Sequence, residues 1–246
     1  MDGEVLDVIL QVSLLVFVVS SMLAMGFSLT MPEIIEPLKD VRLVLIALAV
    51  NFVAVPVIAV GIDAVLSLDQ DLSIGLTIMS AAAGAPFLPK LAGAAKGNMA
   101  FSVGLMVLLM VVTVAYMPMV LPLLIEGVDV NAWDIASSLI FLMILPLAIA
   151  LFVRWRYEDI ANGLQPLMAQ TSTIAIALLL AAGVIENFDD IDDLIGTGGF
   201  AAIMLYLAGA FADGFVAAGR DPGTRTVLGL GTAQRNLSAC LLNTSD

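Results

Sequence analysis

Long apolar runs alternate with short polar loops from one end of the chain to the other. A helix needs about 20 apolar residues to cross the hydrocarbon of a bilayer. Runs of that kind fall near 8–28, 43–62, 72–96, 98–125, 133–153, 166–185, 198–219 and 226–243. Helix is the geometry they predict, because backbone facing lipid must satisfy its hydrogen bonds within the segment. The pattern predicts a single transmembrane domain over 1–246, an all-α polytopic membrane protein of about eight helices.

The loops sort by sign. The N-terminus and every second loop carry only acids: Asp2, Glu4 and Asp7; Asp63, Asp69 and Asp71; Glu126, Asp129 and Asp134; Glu186, Asp189, Asp190, Asp192 and Asp193. The intervening loops hold the cations: Lys39 and Arg42; Lys90 and Lys96; Arg154 and Arg156; Arg220 and Arg225. Basic residues in short loops stay cytoplasmic, so the alternation predicts a multi-pass protein of the plasma membrane with its N-terminus outside. Arg235, in the last apolar segment, is the one cation outside this alternation.

Composition narrows the class. Hydrophobic residues make up 61% of the 246 residues and charged residues 13%. A soluble domain carries roughly a quarter charged residues, so lipid is the expected solvent and partner. The net charge of −13 opposes nucleic acid, whose phosphates need a basic face. Histidine is absent, which removes the commonest metal ligand and the usual neutral-pH acid or base. The lone cysteine, Cys240, allows no intrachain disulfide. The flank from Asp2 to Asp7 is acidic where a signal peptide is basic.

Two spans are interrupted. In the third, Gly84-Ala85-Pro86-Phe87-Leu88-Pro89-Lys90 puts two prolines three residues apart. Each removes an amide donor and clashes with the preceding turn, so the helix should open there. In the last, Gly229-Leu230-Gly231-Thr232-Ala233-Gln234-Arg235-Asn236 interrupts the apolar run with glycines, a fixed charge and two amides. Arginine near the bilayer centre costs at least about 3 kcal/mol on insertion scales. Interrupted spans in the two halves of a membrane protein point to a secondary-transporter site between inverted repeats. Pro56 and Pro146 lie inside spans and predict kinks. Pro166 suits the first turn of its helix, where no hydrogen bond is lost.

These segments together resemble the bile acid:sodium symporter family. The resemblance is carried by Met25-Gly26-Phe27-Ser28-Leu29-Thr30, Asn51-Phe52-Val53-Ala54-Val55-Pro56, the proline break, the turn Lys96-Gly97-Asn98, Ala100-Phe101-Ser102, and Gly231-Thr232-Ala233-Gln234-Arg235-Asn236-Leu237-Ser238-Ala239. It implies an inverted-repeat secondary transporter fold with core and panel domains and two broken crossover helices. Substrate would sit between the domains, with sodium near the crossing. Relative to the family, the chain is expected to lack an optional first helix and the helix after Asn243-Thr244-Ser245-Asp246. The resemblance places sodium-ligand positions at Asn51, Ser102 and Gln234. It also implies erosion: Met106 stands in place of a hydroxyl and Leu230 in place of the shared acid, and the break after Pro86 is about three residues shorter. Sodium is therefore a doubtful cofactor, and no other is expected.

The candidate substrate and ion site comprises Asn51, Pro86, Lys90, Ser102, Gln234, Arg235 and Asn236. Lys90 and Arg235 are read as tethered positive charges that balance helix-end dipoles and hold an anion. Against that, Lys90 can snorkel beside Lys96, and Arg235 can bond carbonyls freed by the first break. Asp213, the one acid well inside a span, is a possible proton carrier, or a polar partner of Arg220 two turns on. Gly196-Thr197-Gly198-Gly199 lacks the lysine of a phosphate loop. Without histidine no zinc-protease helix or serine–histidine dyad is possible, and one acid makes no aspartyl pair, so no enzyme is expected. A channel would need a ring of repeated pore-lining polar groups. Position 85 is alanine, which disfavours an arsenite carrier with a cysteine at the first break. The expectation is a secondary carrier of small organic anions working by alternating access; a proton-coupled or uncoupled carrier, or a channel or sensory membrane domain, is the alternative.

Overall fold

The structure is a computed structural model that describes residues 3–124, 133, 137, 140–186 and 197–236. Asp2, the outer acids Glu126, Asp129, Asp134, Asp189, Asp190, Asp192 and Asp193, Gly196, the start of the 133–153 span, the end of the 226–243 span, Leu237 to Ala239, Cys240 and Asn243 to Asp246 lie outside the described residues.

Among the described residues every regular element is helical. Helix α1 is Gly3–Ser28. A short α2, Met31–Ile35, runs into a 3-10 turn, Glu36–Lys39. Helix α3 (Val41–Ala49) passes through a π-turn, Val50–Ala54, into α4 (Val55–Leu66). Then come α5 (Gln70–Ala81), α6 (Leu88–Ala94) and α7 (Met99–Leu124). A second π-turn, Ile140–Ile144, leads into α8 (Leu145–Arg156). Helices α9 (Glu158–Glu186), α10 (Gly199–Ala217) and α11 (Pro222–Ala233) complete the described chain. Five stretches are long and apolar enough to cross a membrane: Val5–Ser28, Val41–Leu66, Met99–Leu124, Glu158–Glu186 and Gly199–Ala217. Their outer faces are greasy, with Leu123 83% exposed and Met119 71%. This is an all-α, multi-pass membrane protein.

Proline decides the local irregularities. Pro56 has no amide to give to the carbonyl four residues back, Phe52 O. The helix widens there into the π-turn, and Tyr116 Oη from α7 donates to Phe52 O at 2.7 Å instead. Pro146 stands in the same relation to the turn Ile140–Ile144. The kinks expected at these prolines are thus π-turns, a common device at functional sites.

Pro166 differs from its expectation. Helix α9 begins at Glu158, so Pro166 is internal rather than in the first turn. The extra turns are polar and have their own support. Glu158 and Asp159 place negative charge at the positive end of the helix. Arg154 bonds Asn162 Oδ1 at 2.5 Å and pairs with Glu158 Oε1 at 3.2 Å.

The chain divides into two compact units, Met1–Met31 with Ile140–Leu194, and Pro32–Leu139 with Ile195–Asp246. The first contains α1, α8 and α9. Its helices approach closely: a Cβ on Gly26 would fall 2.5 Å from Ala150 Cβ and 2.8 Å from Leu147 O. Phe27, Ala150 and Ala161 form a buried cluster, and the Ser21 and Ser172 hydroxyls meet at 2.5 Å. The second unit contains the other helices. Val55, Ala59, Leu76, Tyr206 and Ala210 are buried together there. Gly214 on α10 lies against α11, where a Cβ would strike the Thr232 side chain and fall 2.7 Å from Leu228 O. Small residues at such crossings let backbones pack tightly, which is how helices associate in lipid.

Candidate substrate and ion site

The first interruption leaves residues 82–87 outside helix, between α5 and α6. Pro86 and Pro89 cannot serve the carbonyls of Ala82 and Ala85, four residues before each. The chain resolves both. Leu88 N donates to Ala85 O at 3.3 Å, while Ala82 O accepts from Asn236 N at 2.8 Å. Thr113 Oγ1 from α7 donates to Ala83 O at 3.0 Å. Gly84 has φ +84°, and a Cβ there would collide with the Met110 backbone of α7. Only glycine fits this position without strain.

The second interruption follows α11. Gln234 leaves the helix with φ −82° and ψ 134°, its amide still bonded to Leu230 O at 2.9 Å. Two residues later the Asn236 amide reaches Ala82 O. The carbonyl that Pro86 leaves without a helical donor is therefore served by the other broken segment, and the two interruptions meet.

The candidate residues distribute around this junction. Asn51 is fully buried in the π-turn; its Nδ2 donates to Ala47 O at 2.9 Å, and its Oδ1 has no hydrogen-bond partner among the described residues. Its neighbour Phe52 is held by Tyr116, with ring centroids 4.7 Å apart. Arg235 is only 6% exposed. Gln234 Oε1 is buried without a partner among the described residues, and Asn236 is fully buried. Pro86 is buried. The structure thus gathers Pro86, Gln234, Arg235 and Asn236 at the junction, while Asn51 lies in the π-turn whose Phe52 is held by Tyr116 of α7. Ser102 is fully buried but turns its hydroxyl to Met99 O, 2.7 Å away in its own helix. Lys90 is half-buried on α6.

Asp213 is half-buried on α10, and its Oδ2 has no hydrogen-bond partner among the described residues. Arg220 is exposed and forms no ion pair with it there. Arg225 is engaged elsewhere: its Nε donates to Phe215 O at 3.1 Å and its guanidinium lies 4.2 Å from the Phe215 ring centre.

Sequence reasoning missed Tyr116 and Thr113. A usable signal existed. Each internal proline names a carbonyl four residues back that needs a donor, and Tyr116 serves one such carbonyl while Thr113 serves the neighbour of another.

Sodium, which the family resemblance implies, prefers several oxygen donors, with carboxylates to balance its charge. Among the described residues, Gln234 Oε1 at the junction and Asn51 Oδ1 in the π-turn are buried neutral amide oxygens with no hydrogen-bond partner. No group of three or more His, Cys, Asp or Glu residues is placed to hold a metal among the described residues. The fixed charge of Arg235 follows Gln234 directly in the chain. A monovalent cation about 6 Å from a guanidinium is repelled by about 3 kcal/mol at an effective dielectric of about 20. These residues do not fit a sodium ion.

One family model matches the chain, described as the Sodium Bile acid symporter family, over residues 14–193. No curated protein matches it.

Proposed function

The chain belongs to the Sodium Bile acid symporter family, and from that premise we propose that it is a secondary carrier of small organic anions. In this reading the carrier works by alternating access, in the plasma membrane with its N-terminus outside, and substrate binds where the two interruptions meet. The observation that carries it is the bond from Asn236 N to Ala82 O beside the buried Arg235. Unwound backbone at membrane depth is tolerated where protein buries it or a cavity hydrates it, and such segments frame transporter sites. A guanidinium there suits a carboxylate, because its planar fork donates two parallel hydrogen bonds. Arg235 grips the anion. Asn51, Gln234 and Asn236 orient it, and Lys90 adds positive charge on the side of the first interruption.

The test is a screen of small organic anions for stabilisation of the purified full chain, followed by uptake of each hit into proteoliposomes. A ligand that binds the folded state raises the melting temperature with concentration. Saturable uptake of at least one stabilising anion is expected. Stabilisation by cations or neutral solutes alone, with no anion taken up, contradicts the reading.

A second reading concerns coupling. Asp213 has a buried oxygen with no hydrogen-bond partner among the described residues, and an intramembrane carboxyl can load and release a proton. Proton-coupled uptake predicts accumulation under an imposed proton gradient and its loss in Asp213→Asn. A gradient that drives no uptake removes this reading and leaves the carrier uncoupled.

A further inference from the structure

We propose that the guanidinium of Arg235 takes the place of a bound cation, so that the junction needs no sodium to hold an anion. The proposal rests on the carrier reading for the anion but not for the ion. Two helices end at the junction, α5 at Ala81 and α11 at Ala233, each twelve residues long. The hydrogen bond between Asn236 N and Ala82 O brings those two ends together. A helix C-terminus carries a partial negative charge, roughly half an electron, from its unsatisfied carbonyls. Gln234 Oε1, on the residue after α11, adds an oxygen dipole that accepts no hydrogen bond among the described residues. Two converging C-termini with an amide oxygen call for about one positive charge. Arg235 follows directly on the end of α11, is 6% exposed, and supplies that charge covalently. An arginine cannot lose its proton in a protein, so the charge is permanent. A free sodium ion would bring a second charge where one already suffices, with no carboxylate cluster among the described residues to balance it.

The test reads sodium alone, so it stands or falls separately from transport. The melting temperature of the purified full chain is followed while sodium chloride replaces N-methylglucamine chloride at constant ionic strength, and binding of radioactive sodium is measured alongside. The proposal expects no sodium-specific shift and no saturable binding. A saturable sodium-specific shift in the wild-type chain overturns it. Arg235→Glu puts an acid beside the same oxygens, and where the variant elutes as the wild type does, it is expected to gain sodium-dependent stabilisation. A well-folded Arg235→Glu protein that still ignores sodium shows that the guanidinium does not stand where a cation would, and overturns the assignment. Where Arg235→Glu does not fold, the wild-type result alone decides.

Discussion

In the unit built from α1, α8 and α9, the buried polar side chains are Ser13, Ser20, Ser21 and Ser172. Ser20 bonds Val16 O in its own helix at 2.5 Å, and Ser21 meets Ser172. The other unit also buries hydroxyls that fold back on their own helix: Ser80 on Thr77 O, Ser102 on Met99 O and Thr232 on Leu228 O. In addition it buries Asn51, Arg235 and Asn236. A hydroxyl is small enough to be satisfied by a carbonyl one turn back. An amide or a guanidinium has more donors and acceptors than one helix turn can serve. The contrast teaches where function concentrates in a greasy protein. Buried hydroxyls that a carbonyl one turn back or a facing hydroxyl satisfies serve packing, whereas the buried amides and guanidinium mark the candidate site.

The contrast breaks first at the interruption between α5 and α6. Gly84→Ala forces a side chain into the left-handed region and onto the Met110 backbone. Strain and overpacking together should destabilise the folded chain by about 2–4 kcal/mol, read as a lower melting temperature in detergent. Gly163→Ala, in the other unit with nothing within 4 Å of its added Cβ, should be neutral or stabilising by up to about 1 kcal/mol. Equal losses at both positions would show that the interruption at Gly84 has no special tightness.

Tyr116→Phe removes the donor to Phe52 O while keeping the ring stack. A buried carbonyl left unpaired costs about 1–3 kcal/mol. Because that carbonyl belongs to the turn bearing Asn51, anion affinity should fall along with stability. Ser172→Ala is the matched deletion in the first unit. It should cost about 0.5–1.5 kcal/mol and leave anion affinity unchanged. An affinity loss from Ser172→Ala equal to that from Tyr116→Phe would erase the distinction between packing and site.

The smallest effect lies at the start of α11. Asp221 Oδ2 accepts from Thr224 N at 2.7 Å. Hydrogen bonds from Thr224 hold its carboxyl below the usual aspartate range. A depressed folded pKa gives stability that is present above the unfolded value and lost as pH falls through the folded one. Asp221→Asn should therefore flatten the acid limb of the stability curve below about pH 4, with little change at neutral pH. An unaltered acid limb would show that the cap contributes no pH dependence.

The all-α, membrane-spanning class was legible because hydropathy at helix length is a strong signal, and both interruptions were legible because proline and a mid-span arginine are local facts. What the one-dimensional pattern hid was pairing. Pro56 announced a kink but not the π-turn around Asn51, since Tyr116 lies 64 residues further along. Pro166 looked like a helix start because the preceding polar stretch resembles a loop, yet Arg154 binds that stretch from the end of α8. The expected partnership of Asp213 with Arg220 assumed that residues on one helix face meet, but Arg220 is turned outward. The sequence offered the Arg235 side chain as a donor to carbonyls freed by the first break, but not the Asn236 backbone amide that serves Ala82 O.

The most direct measurement is the affinity of an anion found by the stabilisation screen for wild-type protein, for Arg235→Gln, and for the Ser172→Ala control. Removing one partner of a buried charge pair costs about 2–5 kcal/mol, so Arg235→Gln should weaken binding by at least about thirtyfold while Ser172→Ala matches wild type. Unchanged affinity in a well-folded Arg235→Gln protein would contradict the placement of the substrate at the meeting of the two broken helices.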